Sequence, residues 1–456
     1  MKISLSTVFA IIVWTSSIVS AYCAAQKYNY DEVLHKSILF YEAQRSGRLP
    51  SNNRINWRGE SALGDQGNSG EDLTGGWYDA GDHVKFNFPM AQATTTLAWG
   101  GIEFKAAYQA AGEFNNLLDS LRWPLDYFIK CHTSDNVLYG QVGDGHADHT
   151  HWGRPEDMTM ARPAFKLTTS APGSDLAAET AAALAASSIL FRDSDRAYSN
   201  NLLQHAKTLY NFAYTHRGLY SDSIQNAQSF YRSSGYNDEL AWGAAWIYKA
   251  TSDRSYLSKA LEFASQYDVA WAFDWDSKTV GYQLLLYSLN QTQFKRPVES
   301  FLKSYFRGGS VPYTPRGLAW RAQWGPNRYA ANAAFIATVA AQKGILSSQS
   351  ISFARHQIHY MLGDSGRSYV VGFGNNPPKK PHHGAASCMK RPAPCSWNDF
   401  NAPGPNPQVI VGALVGGPAQ NDQYSDARSD YISNEVTCDY NAGFQGAVAG
   451  LKTAGM

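Results

Sequence analysis

Four stretches of the 456-residue chain concentrate side chains able to do chemistry. The first runs Gly75-Gly76-Trp77-Tyr78-Asp79-Ala80-Gly81-Asp82-His83 and sets two carboxylates three residues apart. Two such carboxylates can hold one water between them, and each raises the basicity of the other. The same pair also suits Asx turns and helix capping. The second, Asp144-Gly145-His146-Ala147-Asp148-His149-Thr150-His151-Trp152, gathers three histidines and two aspartates. It reads as a metal cluster, a sugar-binding loop or a surface turn. No histidine pair in it has helical i,i+4 spacing with an intervening Glu, as a zinc-hydrolase helix would. The third, residues 368–384, is rich in Gly and Pro and ends in His382-His383-Gly384. The fourth runs from Tyr424 to Ala442 and carries Glu435 into a final helical pattern.

These stretches lie between helices. Apolar residues recur with helical period at about 29–45, 93–111, 114–132, 175–191, 199–215, 238–251, 255–267, 279–290, 296–306, 329–343, 349–362 and 440–452. Few runs alternate with period two. Twelve helices in one domain suggest stacked hairpins. Their connections at 46–92, 133–174, 307–328 and 363–438 are long enough to be functional. No Pro/Ser/Thr-rich joint divides residues 26–456, so a single all-α domain is expected.

Composition narrows the partners. The net charge is +1, charged residues are 17% and aromatics 13%. A nucleic-acid binder normally carries a basic footprint, and a polybasic membrane anchor needs a basic run, so neither partner is expected. Low charge with many rings suits a neutral ligand, although cores use aromatics too. The N-terminus reads as a secretory signal: Lys2, then an apolar stretch from Val8 to Val19, then small residues, with cleavage after Ala21 or Ala25. Cleavage after Ala25 removes Cys23 and leaves four cysteines, of which Cys388 and Cys395 can close a small loop in an oxidising compartment. One sequon, Asn290-Gln291-Thr292, fits an exported chain.

Taken together, the four stretches resemble glycoside hydrolase family 9, the endo-β-1,4-glucanases, in particular animal, arthropod-type members. The Asp79-Ala80-Gly81-Asp82 block and the pattern Tyr424, Asp426, Tyr431, Glu435, Thr437, Asn441, Ala442 carry the likeness. The resemblance implies an (α/α)6 barrel. It also implies inverting hydrolysis, with Asp82 as general base, Asp79 holding the water and Glu435 as general acid. Such an acid must keep its proton near neutral pH, by burial or by neighbouring carboxylates. Substrate contacts are implied for His149, Trp152, Trp271, Trp324, Arg328, His382 and Tyr440. A structural calcium site is implied at Ser234, Gly235, Asp238, Glu239 and Asp276, which supply hard oxygen donors; Asp238 and Glu239 equally suit a helix start. Catalysis itself needs no cofactor.

Two positions depart from the family pattern. Gly384 stands where an Arg is usual, with Lys380 or Arg391 as conceivable substitutes. Ser233 stands where several relatives place a stacking Trp. The expected protein is therefore a secreted, monomeric endoglucanase acting on β-1,4-glucans, with digestive fluid a compatible setting. The alternatives are a catalytically weak β-glucan-binding protein, motivated by Gly384, and a metallohydrolase built on His146 to His151.

Overall fold

The structure is a computed structural model, and residues 27–456 are described. The signal segment and its cleavage positions fall outside them. Among the described residues, twelve helices have ten or more residues. In chain order they are α1 (Tyr30–Ala43), α2 (Asn87–Glu103), α3 (Phe114–Cys131), α4 (Ser174–Phe191), α5 (Arg196–Thr215) and α6 (Asn237–Thr251). These are followed by α7 (Arg254–Phe263), α8 (Thr279–Ser288), α9 (Lys295–Tyr305), α10 (Pro326–Gln342), α11 (Ser347–His359) and α12 (Cys438–Thr453).

The even-numbered helices are apolar or small on most faces, and the odd-numbered ones have one apolar stripe. A helix that is hydrophobic all round must be enclosed, whereas a striped helix can face water. Accordingly every residue of α4 except Ile189 is buried, while α7 buries only Ala260 completely. The even helices form a closed inner ring: α2 packs on α4, α4 on α6, α6 on α8, α8 on α10, α10 on α12, and α12 on α2. Each odd helix lies outside the ring against an even one. This is an (α/α)6 barrel. Its interior is filled by rings: Trp99 meets Trp242 at 5.4 Å and Phe335 at 5.2 Å between centroids. The α10–α12 contact is close because Gly443, Gly446 and Gly450 lie on one face of α12. A Cβ at Gly446 would stand 2.6 Å from the Phe335 ring.

Element boundaries moved where prolines begin helices. The pattern placed one helix at 93–111; α2 instead starts at Asn87, with Pro89 in its first turn, and ends before Phe104. α10 starts three residues earlier than its periodicity indicates, with Pro326 at its first position, where no N–H is needed. A small antiparallel sheet in the order β1 (Lys85–Phe86), β2 (Leu138–Val142), β3 (Ala164–Leu167) lies within the connections, its strands too short to show alternation. The Cys388–Cys395 disulfide is present, with Cα atoms 5.4 Å apart. No helix of the described residues is long and apolar enough to cross a membrane.

The ring geometry puts all six inner-helix N-termini at one end. The connections entering those ends are the long ones, so they meet over a single opening.

Candidate active site

That opening is a cleft of about 670 Å³. Its wall draws from all six connections that enter the inner helices, including Asp79 to Phe86 before α2, Tyr231 before α6, Trp324 before α10 and Glu435 before α12.

Asp79 and Asp82 sit on a turn braced from behind. Tyr78 N–H donates to the Gln44 carbonyl at 2.8 Å, and the Gln44 amide donates to the carbonyls of Tyr78 and Ala80 at 3.1 and 2.6 Å. His383 holds Gln44 in turn: its Nδ1 accepts from Ala386 N–H, which leaves Nε2 to donate to Gln44 Oε1 at 2.9 Å. Gly81 is pressed against this brace. A Cβ there would lie 2.3 Å from the His382 carbonyl oxygen, so the residue between the two aspartates' arms has to be small. Below the turn, buried Lys85 donates to the carbonyls of Leu73 and Gly75 and pairs with Asp65 at 2.7 Å.

The two aspartates differ in surroundings. Asp79 is 4% exposed, and Tyr231 O–H donates to its Oδ2. Its Oδ1 is buried with no protein partner. Burial, reinforced by the charge of Asp82, holds the Asp79 carboxyl well above the usual carboxylate range. Asp82 faces the cleft, with His149 Nε2 3.4 Å from its Oδ2. That hydrogen bond raises the pKa of His149, against the effect of burial.

Glu435 comes from the opposite side. It is bridged by backbone pairing to His382, and its carbonyl accepts from Gly416 N–H at 2.9 Å. Two residues later Thr437 caps α12, its side chain accepting from Tyr440 N–H. Trp324 Nε1 donates to Glu435 Oε2 at 3.4 Å. Burial, with Asp82 and Asp439 adding negative charge, pushes the Glu435 carboxyl up to about 8. The walls are joined directly: Cys438 N–H donates to the Asp79 carbonyl at 3.0 Å.

Of the substrate contacts inferred from sequence, His149, Trp152, Trp324, Arg328, His382 and Tyr440 line the cleft. Arg328 is committed to Asp439 at 3.0 Å, with its guanidinium over Tyr329. Trp152 is only 7% exposed, its Nε1 donating to Ser387 Oγ. Trp271 is not in the wall; it is half exposed beyond Tyr329 and carries Arg321 on its face at 4.4 Å. Neither Lys380 nor Arg391 lines the cleft in place of the absent Arg; Arg391 pairs with Asp157. Ser233 is buried, its hydroxyl donating to the Gly235 carbonyl, while Phe230 and Tyr231 form the wall there. Tyr231, Trp397 and Phe400 also line the cleft, and an aromatic in a long connection before an inner helix is the one signal the sequence offers for them; Tyr431, part of the family pattern, lines it too.

The three histidines of the second stretch do not converge. His146 packs on Phe230 outside the wall, while His149 and His151 line it. Ligand atoms of Asp82, Asp148 and His149 approach within 4.8 Å of one another, but Asp148 already accepts from His83 N–H.

Of the inferred calcium residues, Ser234 and Gly235 precede α6, Asp238 and Glu239 lie in its first turn, and Asp276 precedes α8. Ser234 N–H donates to Asp276 Oδ1 at 2.8 Å, and Lys278 N–H to Asp238 Oδ2 at 2.7 Å. Glu239 is fully buried; Lys278 Nζ lies 3.0 Å from its Oε1, and its Oε2 has no protein partner. A buried carboxylate oxygen without a protein partner, with Asp238 next to it, is the kind of hard donor a cation takes.

The model of glycosyl hydrolase family 9 matches residues 30–448. The chain belongs to this family. The family 9 fold is matched by the endoglucanase of the termite Nasutitermes takasagoensis, with a TM-score of 0.93 and 55% identity over 94% of this chain and 100% of that one. Endoglucanase CelQ from Clostridium thermocellum, solved with cellotetraose, matches at a TM-score of 0.84 and 39% identity, over 93% of this chain and 71% of that one. Endoglucanase A of Bacillus pumilus is 51% identical over 445 residues, covering 92% of this chain. The family 9 chain described here spans 66% of that relative's length.

Proposed function

We propose that this family 9 protein is an endo-β-1,4-glucanase that hydrolyses internal bonds of cellulose and related β-glucans with inversion. The observation that carries the reading is a carboxyl kept protonated, Glu435, in one cleft with Asp82, which faces it, and the buried Asp79. Inversion needs an acid on one side of the glycosidic bond and a base with its water on the other. A water between Asp79 and Asp82 gives a proton to Asp82 as its oxygen attacks the anomeric carbon. The bond to the leaving oxygen breaks as Glu435 transfers its proton there. His149 steers the Asp82 carboxylate, and Trp324 steers Glu435. Retention of all three carboxylates in the wall speaks against a protein that only binds glucan. The cellotetraose bound by CelQ supports a β-1,4-glucan as ligand. Export, which the disulfide suits, would put the enzyme where such polymers occur.

The deciding experiment is proton NMR of fresh products from cellohexaose. New reducing ends should appear first as the α-anomer and then equilibrate. An initial β-anomer overturns the inverting assignment, and no products at all overturns the activity.

The same reading extends to calcium. Ser234, Gly235, Asp238, Glu239 and Asp276 would hold the ion, which ties the connection before α6 to the one before α8. At a hundredfold excess of ion over its Kd, binding adds about 2.7 kcal/mol to stability. Chelation should therefore lower the thermal midpoint and added calcium should restore it; an unchanged midpoint removes the site.

A further inference from the structure

One exposed ring of the cleft is held in a way that packing alone does not require. Trp397 lines the cleft and is 43% exposed. It sits on a short helical turn, Trp397–Phe400, begun by a capping box from Ser396 and Asp399. Its Nε1 donates to the Thr150 carbonyl at 3.2 Å, which fixes the indole plane.

The segment around it has no long helix or strand and is pinned from both flanks. Cys388–Cys395 closes its start. Buried Arg154 donates to the carbonyls of Met389 and Ala393. Buried Arg428, from the stretch that leads to Glu435, donates to the carbonyls of Phe400 and Ala402 at 2.8 Å and of Asp399 and Gly404 at 3.0 Å. Arg428 spends nearly all its donors on this loop, and Arg154, itself held by Asp157, adds two more, which makes the loop rigid.

The rings then form a sequence outward from the acid. Glu435 is bridged to His382, His382 lies 5.1 Å from Trp152, and Trp152 lies 5.8 Å from Trp397. Trp152 is covered by Phe400, His382 and Trp397 and shows almost no free face. The free face at this end of the cleft belongs to Trp397. A fixed, flat apolar face loses little entropy on binding and suits the C–H face of a pyranose.

We propose that Trp397 is the stacking platform of an outer glucosyl subsite, which lengthens the glucan chain the cleft can hold. This rests on the endoglucanase reading. Trp152, the stacking residue inferred from sequence, then acts as a support beneath it.

The test uses the Glu435→Gln protein, so that ligands are not consumed, and calorimetric titration with cellotriose and cellohexaose. Trp397→Leu keeps apolar packing on Trp152 but removes the flat face. It should lower the ratio of cellohexaose to cellotriose affinity by about three- to tenfold, the size of one aromatic contact. Trp397→Phe should retain most of that ratio. An unchanged ratio in Trp397→Leu overturns the subsite and leaves the endoglucanase reading intact. Equal weakening of both ligands also overturns it, since that is the mark of a structural role. Failure of the Glu435→Gln parent to bind either ligand removes both readings together.

Discussion

The wall carrying Asp79 and Asp82 and the wall carrying Glu435 differ in how their chemistry is assembled. The aspartates lie three residues apart on one turn, and their immediate support, Gln44, comes from the end of α1. Glu435 gets its character from the closed cleft: burial and the charge of Asp82 raise its proton affinity, nearby Asp439 adds to it, and Trp324 meets its carboxyl from another connection. A base can be written into a short motif because it needs only a nearby acceptor and a water. An acid that stays protonated near neutrality needs burial and negative neighbours, which only a closed fold supplies.

Removing either wall's central group should have the largest effect. Asp82→Ala and Glu435→Gln should each lower release of reducing ends from carboxymethylcellulose by about 10²–10⁴-fold, the usual worth of an acid or base. An aryl cellobioside with an acidic phenol needs little help in leaving. It should recover activity in Glu435→Gln and not in Asp82→Ala. Equal recovery in both would erase the division of roles.

The Glu435 wall should set the basic limb of the pH profile. Glu435 must be protonated to act, and its proton is held up to about 8. The rate at low substrate should therefore fall as pH rises through about 8. The stability sign is the same: a raised folded value means a contribution present below the ordinary carboxyl range and lost as pH rises through 8. A basic limb near 5 would show that Glu435 is an ordinary carboxylate.

The smallest expected effect lies on the base wall. Tyr231→Phe removes the hydroxyl that donates to Asp79. A hydrogen bond to a carboxylate is worth about 1.5–3 kcal/mol, so kcat should fall by about 10- to 150-fold with KM little changed. A change in KM alone would make Tyr231 a substrate contact instead.

The twelve helices were legible because enclosed and striped helices leave different periodic patterns. The three carboxylates that meet in the cleft were legible as candidates because two share a short motif and the third precedes a helix cap. Tyr231 was not, since a tyrosine in a long connection looks the same whether it packs or positions. Trp271 looked like a cleft residue in sequence and lies outside the wall. Trp152 looked like an open platform and is covered.

By itself the sequence determined the helical periodicity, the residue types with acid–base capacity and the cysteine spacing that closes one loop. All of these are local properties, set by side-chain chemistry and by repeats of a few residues. The tertiary structure alone decided that six long connections meet over one end of a closed ring. It also decided that Asp79 is buried while Asp82 faces the cleft, and that Trp397 rather than Trp152 offers its face. Those outcomes depend on desolvation, on charges brought together from distant segments and on which ring ends up on top. Such quantities exist only once the chain has closed on itself.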